Sequence, residues 1–207
     1  MPDRVPDDVL YRILDVARFA PSGGNRQGWH VIVVRDPERR RALRDLYVPV
    51  EAEYVRSHLE GEVPFAPGWK PRPDPATPIP VHFSDHLDEV PVLLLVLAEL
   101  GSLTVTDALL ERPSLVGGAS VYPFAHNILL AARNEGVGGV MTTLLAREEP
   151  AVAAVCGIPS THALVAMVAL GYPQKQVTRL SRKPVAAFTT VDTFAGETFP
   201  GTDTCPS

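Results

Sequence analysis

Ala20-Pro21-Ser22-Gly23-Gly24-Asn25-Arg26-Gln27-Gly28-Trp29 passes from a helical pattern to a strand pattern within ten residues, and its reading decides the fold. Upstream, Val9, Leu10, Ile13, Leu14, Ala17 and Ala20 repeat at helical spacing. Pro21 ends that helix, because its ring removes an N–H donor and restricts the residue before it. Downstream, Trp29-His30-Val31-Ile32-Val33-Val34 reads as a buried strand. Between the two, Gly23 and Gly24 are free to take positive φ, while Ser22, Asn25, Arg26 and Gln27 supply a dense set of donors and acceptors. Such an elbow suits close backbone approach to a flat polar ligand. It equally suits an ordinary helix-to-strand loop, where Ser, Gly and Asn are common turn residues.

Working outward, a helix is expected from Pro6 to Ala20, with Asp7 and Asp8 complementing the positive end of its dipole. Asp36-Pro37-Glu38 is a cap signal for a second helix over Pro37–Tyr47, and Val50–Leu59 reads as another. Residues 61–80 carry seven prolines and read as an extended surface segment or lid. A helical turn over Ser84–Leu87 precedes Val92–Leu97, a continuous apolar run expected of a central strand covered on both faces. A longer helix is expected over Ser120–Asn134, ended by Gly136. Then follow a strand over Gly139–Thr143, a short helix over Glu148–Cys156, a strand over Ala163–Leu170 and an added strand over Phe188–Val191. No internal repeat is evident.

The 207 residues suit a single domain, and 45% hydrophobic content is enough for a substantial core. Nineteen basic against 24 acidic residues give a net charge of −5, which argues against a nucleic-acid partner. The longest apolar run, Val90–Ala98, is too short to span a bilayer, and the start has no secretory pattern, so a cytoplasmic location is expected. Cys156 and Cys205 show no metal-type spacing, and Cys156 reads as a small core residue.

Chemistry is constrained mainly by elimination. No Gly-x-Gly-x-x-Gly links a strand to a helix, and a Walker-type phosphate loop is missing. His82 and His86 could share a helix face, yet no further ligand completes a zinc site. Ser22 follows a helix, whereas a hydrolase nucleophile elbow follows a strand. His30 and His126 lie in apolar periodic segments and read as core histidines. A chain with no evident nucleophile, metal or acid–base pair points to a cofactor as the source of its chemistry.

Four segments resemble the FMN-dependent nitroreductase family. They are the elbow at 20–29, with Gly28-Trp29 where family members usually show Pro-Trp; Gly118-Ala119-Ser120 leading into His126–Arg133, similar to the family's central dimer helix; Gly136–Thr143, similar to the segment beneath the flavin; and Leu170-Gly171-Tyr172-Pro173 with Leu180–Pro184, similar to the last core strand and a C-terminal phosphate-binding arginine. The resemblance implies an α+β fold with a central mixed, mostly antiparallel sheet flanked by helices. It also implies a homodimer with an exchanged C-terminal arm, here 172–207. The function implied is reduction of nitroaromatic, quinone or similar small acceptors by NAD(P)H through FMN, in ping-pong fashion. An FMN-dependent dehydrogenase or oxidase, or a non-catalytic or weakly flavin-binding relative, is the alternative.

Position by position, the resemblance assigns Pro21, Ser22, Gly23, Asn25 and Gln27 to the flavin pocket, Met141, Thr142 and Thr143 to the neighbourhood of the reactive ring, and Arg182 to the FMN phosphate. One departure stands out. Family members usually open with a basic stretch that grips the phosphate, whereas Met1-Pro2-Asp3-Arg4-Val5-Pro6 offers only Arg4. Loss of two charged hydrogen bonds at ~1.5–3 kcal/mol each predicts FMN affinity roughly 10²–10⁴-fold lower, unless an upstream segment supplies them.

Overall fold

In a computed structural model, residues 3–66, 69–70, 82–175 and 178–199 are described. The chain forms two compact units, Met1–Pro173 and Gln174–Ser207. The first is built on an antiparallel four-stranded sheet in the order β1-β2-β4-β3, with β1 at Trp29–Val33, β2 at Val92–Glu99, β3 at Gly138–Thr142 and β4 at His162–Gly171. β2 and β4 are interior, which explains the unalternated apolar run: Val92 to Ala98 are all buried.

The two faces of β2 divide that run by strand periodicity. Val92, Leu94, Val96 and Ala98 join Ala166, Val168 and Leu170 of β4 against α1 (Asp7–Ala17) and α4 (Tyr122–Asn134), whose Ile13, Ala17, Phe124, Ala125 and Ile128 face the sheet. Leu93, Leu95 and Leu97 face the other way with Leu164 and Met167, under α2 (Pro37–Leu59) and α5 (Glu149–Cys156). The short α3 (His82–Asp85) packs against α2, and Leu87 is buried on the same side of the sheet. Each fully buried Leu contributes about 1.5–3 kcal/mol of hydrophobic transfer. A bulge between the pairs Val96↔Ala166 and Leu97↔Leu164 leaves Val165 as the extra residue of β4.

Several boundaries differ from the sequence expectation. α1 stops at Ala17, not Ala20, because Phe19 N–H to Val16 O (3.3 Å) and Ala20 N–H to Ala17 O (3.1 Å) tighten the last turn before Pro21. α4 begins at Tyr122 and not at Ser120, whose hydroxyl instead accepts the Gly23 N–H at 3.0 Å. Gly136 does end that helix, at φ +76°. The largest difference is α2, one 23-residue helix running through Pro49 where two were expected. Pro49 removes one N–H, but Tyr47 and Val50 on either side are both buried, and their burial outweighs one lost helical bond.

In the second unit the expected strand at Phe188–Val191 does not form. A 3₁₀ turn covers Val185–Ala187, and among the described residues of this unit a single bridge joins Thr190 to Thr198. Phe188 is 67% exposed, so no apolar surface opposes the pattern that suggested a strand. Of the Pro-rich segment, 67–68 and 71–80 lie outside the described residues. No described helix is long and apolar enough to cross a membrane.

A buried carboxylate organises the loop between β2 and α4. Asp107 accepts from the Leu115 N–H (2.8 Å), the Ser114 hydroxyl (2.7 Å) and Arg112 (2.8 Å). The Leu115 N–H, first among these donors, holds the carboxyl well below the usual carboxylate range. A depressed folded-state value means the clamp stabilises above the ordinary carboxylate pKa and is lost only as the pH falls through the depressed one. Asp107→Asn is therefore expected to speed hydrogen exchange at the Leu115 amide at neutral pH, while the parent amide stays protected well into acid. Equal exchange in both proteins refutes the clamp.

Candidate functional site at the elbow and the end of β3

The elbow is held in a backbone path that few sequences adopt. Gly24, Asn25 and Gln27 all have positive φ, at 61°, 53° and 51°. Two non-glycine residues in the left-handed region cost of order 1–3 kcal/mol each and persist only where surroundings impose them. Here the surroundings are visible. The Asn25 N–H donates to the Ser22 carbonyl at 2.9 Å, the Gln27 N–H to Ser22 Oγ at 2.8 Å, and the Gln27 amide to Asn25 Oδ1 at 3.2 Å. Arg26 reaches Thr104 Oγ1 at 2.5 Å. The Trp29 ring stacks on Phe124 of α4 at 4.7 Å and 4°. Pro21, Gly23, Asn25 and Gln27 remain exposed, with Ser22 half-buried.

Gly28 is explained by its neighbour. A Cβ there would lie 2.6 Å from Ser102 Cβ, and the Gly28 carbonyl accepts the Glu99 N–H at 2.8 Å. The turn after β2 therefore occupies the space a larger residue would need.

At the end of β3, Met141 packs toward the α1/α4 core, whereas Thr142 faces α2. Thr142 Oγ1 accepts from the Tyr47 hydroxyl at 3.2 Å and from the Leu144 N–H at 3.3 Å. Thr143 is exposed where β3 gives way to a 3₁₀ turn. Sequence reasoning missed Tyr47, whose contact with Thr142 spans 95 positions. It also missed Arg147, which pairs with Glu53 at 2.7 Å and lies over the rings of Phe65 (4.5 Å) and Trp69 (5.1 Å). Phe65 has φ +57°, a strained value for an aromatic residue.

The expected site residues thus form three groups. Pro21–Gln27 adjoin β1, at one edge of the sheet, and Met141–Thr143 end β3, at the other. With β2 and β4 between them, three strand spacings separate the groups laterally by about 14 Å within one chain. Arg182 belongs to the second unit, exposed, donating to the Ser181 carbonyl at 2.7 Å. Arg4 lies with Arg35 and Pro91 at the end of β1 away from the elbow, 3.6 Å from Asp7.

The two candidate core histidines are not buried. His126 is exposed on the outer side of α4, and His30 is exposed on the face of β1 opposite Trp29. His30 meets His162 edge-on at 6.0 Å beside a cavity of about 420 Å³ that Leu97, Cys156 and Ile158 also line. Both readings assumed that an apolar neighbourhood in sequence buries every residue in it, whereas strand and helix periodicity turn these two outward. Cys156 is half-buried, and burial pushes its thiol pKa up. Among the described residues no group of three or more His, Cys, Asp or Glu side chains is placed to hold a metal ion.

The sequence pattern of the nitroreductase family matches residues 1–172. The chain belongs to the nitroreductase family. A relative named NADH dehydrogenase, from Thermus thermophilus, is 33% identical over 187 residues, covering 84% of this chain and 80% of its own. Among solved structures, the NADPH:FMN oxidoreductase from Vibrio harveyi complexed with NAD+ superposes with TM-score 0.66 at 16% identity, over 94% of this chain and 71% of that one. An oxidized iodotyrosine deiodinase bound to FMN and 3-iodo-L-tyrosine superposes with TM-score 0.64 at 23% identity, over 94% and 92%. These two share the nitroreductase fold with this chain.

Proposed function

We propose that this nitroreductase-family chain is an FMN-dependent oxidoreductase that takes electrons from NAD(P)H and passes them to a small nitroaromatic, quinone or similar acceptor in ping-pong fashion. The observation that carries the reading is the strained elbow. Its left-handed Asn25 and Gln27 present exposed amides beside Ser22, a donor and acceptor set suited to the polar edge of a flavin ring. The residues fit the cofactor elsewhere too: β3 is an edge strand among the described residues, and the Arg182 guanidinium suits a phosphate. When bound, FMN supplies the hydride chemistry. Pro21, Ser22, Gly23, Asn25 and Gln27 would shape its pocket, Met141, Thr142 and Thr143 would lie against its ring system, and Arg182 would hold its phosphate.

Because the elbow and the β3 end lie on opposite edges of one sheet, the site is completed by a second copy of the chain. Support comes from an uncovered face of α4, where Tyr122, His126 and Leu130 recur every four residues and are all exposed, with Tyr11, Val16 and Phe19 exposed on or just after α1. The second unit, from 174 onward, would serve as the exchanged arm of that dimer.

Purified protein should carry or accept FMN, and anaerobic NADH or NADPH should bleach the visible absorption of the bound flavin. Flavin that binds but is reduced by neither nicotinamide overturns the NAD(P)H reading and favours a non-catalytic relative or a different electron donor. The acceptor panel should include 3-iodo-L-tyrosine, the compound held by one structural neighbour.

The Arg147 clasp ties Phe65 and Trp69 to the turn after β3. Arg147→Ala removes two cation–π contacts and an ion pair, each worth about 0.5–1 kcal/mol at partly exposed sites. The expected result is an acceptor KM raised about 3- to 10-fold with little change in FMN affinity. An unchanged KM across the acceptor panel would separate the clasp from substrate binding.

A further inference from the structure

A cavity of about 420 Å³ that the flavin reading does not use lies between β1, β2 and the turn joining α5 to β4. That volume falls within the usual range for small-molecule sites. His30, Ile32 and Leu97 bring it to the α2/α5 side of the sheet, the side opposite the Trp29–Phe124 stack. The turn that walls it is fixed. Gly157 ends α5 at φ +67°, the Ile158 N–H donates to the Ala153 carbonyl at 3.0 Å, and the His162 N–H donates to the Pro159 carbonyl at 2.9 Å. The Leu100 N–H ties the Thr161 carbonyl to the end of β2 at 2.9 Å. Walls held in this way are formed before a ligand arrives, so binding loses little to ordering.

The lining selects by charge. Ile32, Leu97, Ile158 and Pro159 supply apolar surface, and no Asp, Glu, Lys or Arg lines the cavity. Burial pushes the Cys156 thiol pKa up, against the pull of the Arg39 charge, so the thiol is uncharged at neutral pH as well. An ionised ligand would lose its water here without gaining a counter-ion. The polar groups are the imidazoles of His30 and His162, edge-on at 6.0 Å. His162 Nδ1 lies 3.0 Å from Thr161 Oγ1, while His162 Nε2 and the His30 ring nitrogens have no hydrogen-bond partner among the described residues. An imidazole nitrogen donates or accepts according to its proton, and a hydroxyl can meet it in either state. Apolar walls and aromatic edges suit a flat ring. Two imidazoles and a thiol also suggest a metal, but among the described residues they do not form a metal-holding group.

We propose that this cavity binds a neutral, single-ring phenol, at a site separate from the candidate flavin site. The proposal stands independently of the FMN reading, because none of its residues belongs to the elbow or to the end of β3. Binding is reversible and makes no covalent bond.

The test uses the full chain carrying Cys205→Ser, which leaves Cys156 as its one thiol, with and without saturating FMN. The probe is 4-methylphenol, and the readouts are the rate of Cys156 alkylation by iodoacetamide and the imidazole proton signals in NMR. The phenol is expected to slow alkylation saturably and to shift the His30 and His162 signals, while exposed His126 on α4 stays in place. Toluene, which lacks the hydroxyl, should bind about 3- to 10-fold more weakly, and 4-methylbenzoate, which is charged, at least about 10-fold more weakly. Ile158→Trp fills the cavity and should abolish the protection. The double variant His30→Phe/His162→Phe keeps two aromatic rings and should bind toluene and 4-methylphenol about equally.

Equal affinities for toluene and 4-methylphenol in the parent chain, or tightest binding by 4-methylbenzoate, overturn the proposal. So does a Cys156 reaction rate that 4-methylphenol leaves unchanged. Protection that vanishes when FMN is saturating would put the phenol in the flavin site and overturns it too. If Ile158→Trp fails to fold, the double histidine variant carries the test, and an undiminished preference for 4-methylphenol over toluene counts against the cavity.

Discussion

Phe124→Ala is expected to lower the unfolding free energy by about 3–5 kcal/mol and to loosen the elbow at the same time. The ring is 3% exposed in the core between α4 and the sheet, and it stacks on Trp29 at 4.7 Å. Truncation loses the transfer energy of the ring and leaves a cavity that α4 and β1 cannot both close, since each is held by separate neighbours. The stack also joins α4 to Trp29, the last residue of the elbow, so Asn25 and Gln27 lose a support for their strained conformation. Urea unfolding at a fixed protomer concentration checks the energy, which for a dimer depends on that concentration. Phe124→Leu keeps most of the volume and should lose less than half as much. A loss below about 1 kcal/mol in the alanine variant, well outside the range for a buried Phe, would mean that the ring is not packed as described.

Arg182→Ala is expected to weaken FMN binding about 10- to 100-fold, because it removes a charge-assisted phosphate contact of ~1.5–3 kcal/mol. Its side chain is exposed and its described hydrogen bond is to the adjacent Ser181 carbonyl, so the folded chain should lose almost nothing. The apo variant should therefore melt with the parent protein, and the deficit should appear only in the FMN titration. Raising the salt concentration should weaken the parent more than the variant, since a screened charge pair is what the variant lacks. Arg182→Lys, with a point charge in place of a planar fork, should fall between the two. Unchanged FMN affinity in Arg182→Ala would remove residue 182 from the site and leave the phosphate to other cations.

Much of the fold was legible because the sequence patterns are local. Helical spacing marked α1 and α4, the unbroken run Val92–Leu97 marked an interior strand, and Gly136 marked the end of α4. The elbow was legible for the same reason: Pro21 stops a helix and glycine admits a positive φ wherever they occur, as Gly24 does here. Where local signals misled, a tertiary contact outweighed them. Pro49 predicts a break in α2, yet Tyr47 and Val50 are buried on either side of it and the helix continues. Phe188–Val191 has the composition of a strand, but its described neighbours provide no partner strand and no apolar surface.

Local signals were enough for α1, α4, the interior strand β2, the turn chemistry of the elbow and membership in the nitroreductase family, because periodicity and the conformational preferences of Pro and Gly act within a few residues. That the elbow and the β3 end lie on opposite edges of the sheet, that Tyr47 meets Thr142, and that Arg147 gathers Phe65 and Trp69 became visible in three dimensions alone. Each of these depends on strand order or on contacts between residues far apart in the chain. No local period encodes such distances; they follow from burying both faces of one sheet at once.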